Sequence, residues 1–218
     1  MIAKSNLPDL LEKELAALDK AGRLDAATVF MSSATDPYQG IERRMRLTRR
    51  ALETFLRHPP RRLLVQTRSP MVERDIDLLK ELGTSVIASI TLETDDESVR
   101  RTITPTSASV ERRLATCARL RAAGVFVQIA IAPMMPNHPE RFASLVDAAA
   151  DRVIVDTYFD GDGSGGRRSR LLGMDELYAR FGYDQWFQPG AERELMERLK
   201  ARMGEGRVLF SREGFSAV

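Results

Sequence analysis

The sequence predicts an α/β fold built on a mostly parallel sheet, closed into a barrel or a partial barrel. Three observations lead there. Short β-branched and apolar runs alternate with amphipathic stretches of helical period. Consecutive strand starts lie about 20 to 40 residues apart, the length of a βα unit with its crossover. The runs end on hydroxyl, acidic or proline residues, at the end where parallel α/β folds carry their ligands. No Gly-x-Gly-x-x-Gly comes after the first run, which argues against a dinucleotide-binding sheet.

Taken in order, Leu7–Leu18 sets Leu7, Leu10, Leu11, Leu15 and Leu18 on one stripe, with Asn6 as a cap and Gly22 closing the end. It is a helix with no strand before it, which is unusual for an α/β barrel. Ala27–Ser32 is the first strand. Ser33, Thr35, Asp36 and Pro37 come next, then a helix over Ile41–Leu56 that His58-Pro59-Pro60 stops. Leu63–Gln66 is a strand ending in Thr67-Arg68-Ser69-Pro70, and Met71–Leu82 is its helix, with Gly83 beyond. Val86–Leu92 is the next strand, carrying Ser89 and Thr91. A short helical piece near Glu97–Ile103 precedes a longer helix capped by Ser107 or Ser109 and ended by Gly124. Val125–Ala132 is a strand closed by Pro133 through His138, Pro139–Ala149 a helix, and Val153–Tyr158 a strand. The glycine-rich stretch from Gly161 to Gly166 breaks the rhythm before a helix at Ala191–Met203 and a short strand at Val208–Ser211.

A chain of 218 residues with 43% hydrophobic and 29% charged residues suits one large α/β domain, residues 1–218, with about 160–218 as a C-terminal extension. No apolar stretch reaches about 18 residues and the start is charged, so the expectation is a cytoplasmic protein without a membrane partner. Cys117 is the sole cysteine and reads as a small core residue, which excludes an intrachain disulfide and an all-cysteine metal site. Lys4, Lys13, Lys20, Lys80 and Lys200 are the only lysines among 33 basic residues. Arginine pairs such as Arg43-Arg44, Arg49-Arg50 and Arg61-Arg62 could meet phosphates, or acids at helical spacing could neutralise them on solvated faces. A net charge of +2 is a small excess for a nucleic-acid domain.

The strand ends carry, in turn, Ser32, Ser33, Thr35 and Asp36; Arg68 and Ser69; Ser89 and Thr91; Asn137 and His138; Asp156 and Tyr158. In a barrel these share one rim, and hydroxyls with one guanidinium and a few carboxylates suit a zwitterionic ligand: Arg68 for a carboxylate, Asp36 for an amine, hydroxyls for a ribose. Each also serves as a turn or cap residue on its own. His138 is an acid/base group or a surface histidine. The glycine-rich stretch lacks the Lys-Ser/Thr ending of a P-loop and reads as a mobile lid. Trp186 and Phe187 cover the rim or anchor the last helix.

The segments SSATDPYQGIE, QTRSPMVERDIDLLKEL, SITLETDDESVRRTITP and ERRLATCARLRAAGVFVQIAIAPMMP resemble the radical S-adenosylmethionine (radical SAM) enzymes of the spore photoproduct lyase-like, or "DNA repair photolyase", group. The resemblance implies a partial (β/α)6 barrel, a [4Fe–4S] cluster on the loop of the first strand, and reductive cleavage of S-adenosylmethionine by a lyase-like enzyme. On it, Ser33, Thr35 and Asp36 match the T-D-P-Y turn near the methionine amino group. Arg68 and Ser89, with Thr91 beyond, lie on the carboxylate and ribose side, and Pro133 begins the turn near the adenine.

The family holds its cluster with C-x3-C-x2-C, whereas this chain has one cysteine. The helix Leu7–Leu18 matches the family's first helix, so the resemblance implies that the strand and cysteine loop before it are missing. The expectation is then a shortened radical SAM domain, inactive in this form, or a non-catalytic binding protein that keeps the barrel and a nucleoside-like pocket. A small-molecule cofactor is the expected partner, and nucleic acid stays open. The edge of Ala27–Ser32 calls for cover, either by Val208–Phe210 folding back or by self-association with a second copy, and uncovered it leads to aggregation.

Overall fold

A computed structural model describes residues 6–31, 35–161 and 163–216. Among these described residues six strands form one open sheet in sequence order: β1 Thr28–Met31, β2 Arg62–Thr67, β3 Val86–Thr91, β4 Val127–Ile131, β5 Arg152–Val155 and β6 Val208–Phe210. The pairing is parallel, with Val29 opposite Leu63, Val65 opposite Ala88, Ile129 opposite Val153 and Ile154 opposite Leu209. Helices join the strands, which is the expected α/β partial barrel. β3 and β4 are buried along their whole length, the near-continuous apolar runs expected of central strands in a parallel sheet. β1 differs: Thr28 and Phe30 are exposed and Val29 and Met31 half-buried.

The chain packs as two compact units, one formed by the residues up to Ile90 with Ala115–Val127, the other by Thr91–Leu114 with the residues from Gln128 onward. In the first, the helix Leu7–Lys20 packs on the helix Leu47–Arg57. Glu12 pairs there with Arg57 and with His58 (3.1 Å). The expected leucine stripe is only partly used: Leu15 is buried, while Leu7 and Leu10 are 40% and 48% exposed. Asn6 precedes the helix without a capping side-chain bond. Gly22 closes it as expected, its positive φ of 64° letting Arg23 N–H return to Leu18 O.

The helix foreseen over Ile41–Leu56 is broken. Glu42–Met45 ends at Arg46, whose φ of 50° is left-handed, and Leu47–Arg57 begins after it. The cause is Glu42. Its buried carboxylate accepts Leu47 N–H at 2.9 Å and so caps the second helix from within the first. Ser69 caps the next helical stretch, through Met71 N–H, as a tighter turn over Pro70–Asp75 that leads into Ile76–Leu82.

In the second unit the helix Arg193–Met203 packs on Pro139–Ala149, with Arg202 and Arg198 both reaching Glu140. β6 then lies beside β5. This rules out one of the alternatives for the edge of β1, that Val208–Phe210 folds back to it: the crossover through Arg193–Met203 delivers the strand beside β5 instead. β4 and β5 are shorter than foreseen by more than one residue. Gly124 (φ 83°) turns the chain so that Val125 N–H still bonds Leu120 O, and β4 starts only at Val127. β5 stops at Val155 because Asp156 opens a turn, its carboxylate accepting Thr157 N–H at 2.9 Å. Short helices at Arg167–Leu171, Met174–Arg180 and Ser211–Ser216 were not foreseen.

Asp96 caps the helix Glu97–Ile103, accepting Ser98 N–H (2.7 Å), the Ser98 hydroxyl (2.6 Å) and Val99 N–H (3.3 Å). The Ser98 hydroxyl bond leads the groups that hold its carboxyl below the ordinary value of 3.8. A carboxyl lowered on folding contributes stability that is fully present above its unfolded value and is lost as the pH falls through the folded one. Asp96→Ala is therefore expected to cost about 1 kcal/mol near neutrality. The gap between variant and wild type should close on acidification below about pH 4, read from urea midpoints across a pH series. A gap that stays constant to the acid end would show that the carboxylate charge is not what caps this helix.

Candidate functional site

In the first unit, the loop after β1 is fastened to the end of β2 by Asp36. Its Oδ1 accepts Tyr38 N–H at 2.8 Å and the Thr67 hydroxyl at 2.6 Å, and its Oδ2 accepts Arg68 N–H at 2.8 Å. Thr67 in turn accepts Ser69 N–H at 2.9 Å. An aspartate that bonds its own backbone two residues on is an Asx turn, and here the same carboxylate reaches a second strand end. Asp36 and Arg68 are thus brought together, though through the Arg68 backbone. Thr35 is exposed beside them, and Ser33 lies outside the described residues. Behind the loop Tyr38 is buried. Burial, then the neighbouring Asp75 carboxylate, pushes its hydroxyl well above the ordinary phenol value. Arg74 lies over the Tyr38 ring at 5.9 Å and bridges Asp75 and the Glu42 carbonyl. On β3, Ser89 is fully buried and donates to Gln66 Oε1 on β2 at 3.3 Å.

In the second unit, the end of β3 carries a buried ion pair. Arg113 Nη1 donates to Glu93 Oε2 and to Thr91 O, both at 2.7 Å, with both charged side chains at 0% exposure. Thr91 is 1% exposed, and its hydroxyl has no hydrogen-bond partner among the described residues. Two further guanidinium nitrogens of Arg113, Nε and Nη2, are also without one. The turn after β4 is stitched onto this end, where Met135 N–H reaches Glu93 O (2.9 Å) and the Thr94 hydroxyl reaches Pro136 O (2.5 Å), and onto the end of β5, where Met134 N–H reaches Asp156 O (2.8 Å). Pro133, half-buried, opens that turn through a cis peptide after Ala132.

His138 is 59% exposed and sits between Asp95 and Arg141 at the start of Pro139–Ala149, the surface arrangement of the two foreseen. Phe187 is buried against Tyr158 and Tyr178, whose hydroxyls lie 3.3 Å apart. Burial, with Tyr158 and Glu93 nearby, drives the Tyr178 hydroxyl upward, so it stays protonated. Gly161 lies so close to Asp156 that a Cβ there would come within 2.0 Å of the carboxylate, which makes glycine the residue that fits.

Arg113 was missed from sequence, yet a signal was present. Val110, Arg113, Cys117 and Leu120 follow the i, i+3, i+7, i+10 stripe of the helix Val110–Ala122, and the other three are buried core. An arginine at an inward position of such a stripe marks a buried partner.

Among the described residues no group of three or more His, Cys, Asp or Glu is placed to hold a metal ion. Cys117 is buried, and the chain has no second cysteine. The residues of this chain therefore do not fit a cluster held by three thiolates. No helix among the described residues is long and apolar enough to cross a membrane.

The model of the radical SAM superfamily matches residues 3–149. Among curated proteins, an uncharacterized protein of Methanocaldococcus jannaschii is 28% identical over 137 residues, 63% of this chain and 48% of its own length. One of Acidianus two-tailed virus is 32% identical over 113 residues, 52% of this chain and 36% of its own. The chain thus spans half or less of these relatives. Among solved structures, a doubly substituted spore photoproduct lyase with bound AdoMet and dinucleoside spore photoproduct superposes with a TM-score of 0.61 at 13% identity, over 92% of this chain and 66% of that one. A spore photoproduct lyase complexed with dinucleoside spore photoproduct gives the same figures. At that identity the likeness is one of fold.

Proposed function

The chain belongs to the radical SAM superfamily, and on that premise we propose that it is the S-adenosylmethionine-binding barrel of a spore photoproduct lyase-like enzyme of the cytoplasm. The observation that supports this best is the Thr91 hydroxyl, buried on the last residue of β3 with no partner among the described residues. A buried hydroxyl is costly to leave unpaired, and a ribose hydroxyl is the kind of group that would satisfy it. In this reading Arg68 takes the methionine carboxylate. Thr35 and Asp36 serve the amine, a role the resemblance also gives to Ser33, outside the described residues. Ser89 and Thr91 meet the ribose, and Pro133 the adenine side. Residues 1–218 act as one domain, with about 160–218 packed on it as an extension.

When bound, a [4Fe–4S] cluster would supply the electron that cleaves S-adenosylmethionine, but this chain lacks the three thiolates that hold it. The single cysteine favours a second reading, a non-catalytic barrel that binds nucleosides. Both readings expect binding. Calorimetry with S-adenosylmethionine should show weak affinity, since no iron anchors the amino and carboxylate groups, and Arg68→Ala should reduce it further. Equal heats in both proteins would remove Arg68 from the site, and no heat in either would overturn the proposal.

A further inference from the structure

The arginine richness of this chain is mostly spent internally. In the first unit Arg49 pairs with Asp75 and Asp77, Arg50 with Asp9, Arg57 with Glu12, Arg74 with Glu42 and Asp75, and Arg119 with Glu73. Arg43, Arg44 and Arg46 are the clustered exception. All three are exposed, and none makes a side-chain hydrogen bond or ion pair among the described residues. We infer that Arg43, Arg44 and Arg46 form a phosphate-contacting strip on which the backbone of a nucleic-acid strand lies, beside the loop that Asp36 fastens. This deepens the proposed function and rests on it for the location of the pocket.

The local fold explains why these cations face outward unneutralised. The one acid of the segment, Glu42, is 3% exposed and turned inward, where its carboxylate takes Leu47 N–H and its carbonyl accepts Arg74 Nη1 at 2.8 Å. That bond holds Arg46 at φ 50°, a left-handed backbone that few residues other than glycine adopt and that costs energy to maintain. The segment also stays anchored by Thr48, whose hydroxyl donates to Pro37 O. Three guanidinium forks within four residues, on a fixed turn, suit phosphate oxygens, which they meet bidentately. A lipid surface is the poorer match, because binding there needs an exposed apolar face as well as charge. Here Ile41 and Met45 are half-buried and Leu47 is buried.

The test is salt-dependent binding of a labelled oligonucleotide, single-stranded and duplex, to the full chain. The variants are Arg43→Gln/Arg44→Gln/Arg46→Gln and, as a control, Arg23→Gln/Arg61→Gln, which removes two other exposed arginines. Each phosphate contact contributes about 0.7 to 0.9 to the slope of log K against log salt. The triple variant should therefore lose roughly 2 to 3 of that slope and weaken uniformly across sequences, while the control keeps most of it and both retain the wild-type melting curve. An unchanged slope in the triple variant, or an equal loss in the control, overturns the strip. So does a triple variant that loses binding only to phosphatidylserine vesicles. S-adenosylmethionine calorimetry separates the two levels. Cofactor binding with an unchanged slope removes the strip and leaves the pocket, and the reverse removes the pocket and leaves the strip.

Discussion

Arg113→Met is expected to destabilise the protein by about 3–5 kcal/mol, because it removes the guanidinium bonded to a carboxylate that has no exposure to water. Deleting one member of a buried pair strands the other charge, and Glu93 must then either protonate or drag its loop into solvent. That loop holds the turn after β4 through Glu93 O and Thr94, so the damage would spread to Met135 and Pro136. The pair itself is a weaker asset than either half alone suggests. Replacing both, as Glu93→Gln with Arg113→Met, should recover much of the loss, since desolvation offsets much of the attraction between two buried charges. Urea unfolding followed by circular dichroism reads both. A single variant within about 1 kcal/mol of wild type, in the range of ordinary surface changes, would mean that water reaches this pair.

Anaerobic reconstitution with iron and sulfide should leave the chain colourless, an all-or-none result. Thiolates hold such clusters, three from the family's motif, and this sequence supplies one thiol, Cys117, buried on the helix Val110–Ala122. Iron and sulfide analysis beside an absorption spectrum decides it. Cys117→Ala serves as the control for adventitious metal. Near-stoichiometric iron with a cluster band in the wild type would show that ligands other than cysteine had been overlooked.

The strands were legible because a parallel sheet demands buried β-branched runs, and those runs stand out between amphipathic stretches. The break at Arg46 was not. Nothing in ERRMRL marks a left-handed residue, and the turn exists because Glu42 reaches a backbone N–H five residues on. The neighbour of β6 was not legible either, since three residues carry too little pattern to choose one and the preceding crossover decides it. In the candidate site, Asp36 was recognisable as a turn aspartate, but its bonds to Thr67 and Arg68 depend on the β1–β2 pairing. Arg113 stayed hidden because charge was taken as a sign of the surface.

The sheet also bears on how the chain folds as it is synthesised. β2 and β3 each pair with the strand made just before them, so these three strands can pair almost as fast as they emerge from the ribosome. β6 is different. Val153 must wait for Val208, with the glycine-rich stretch and three helices made in between. Until then the outer edge of β5 offers unpaired backbone groups to any neighbouring nascent chain. Chaperone capture and early aggregation should therefore concentrate on chains arrested between Val155 and Val208, and ribosome-bound intermediates of graded length would expose that window.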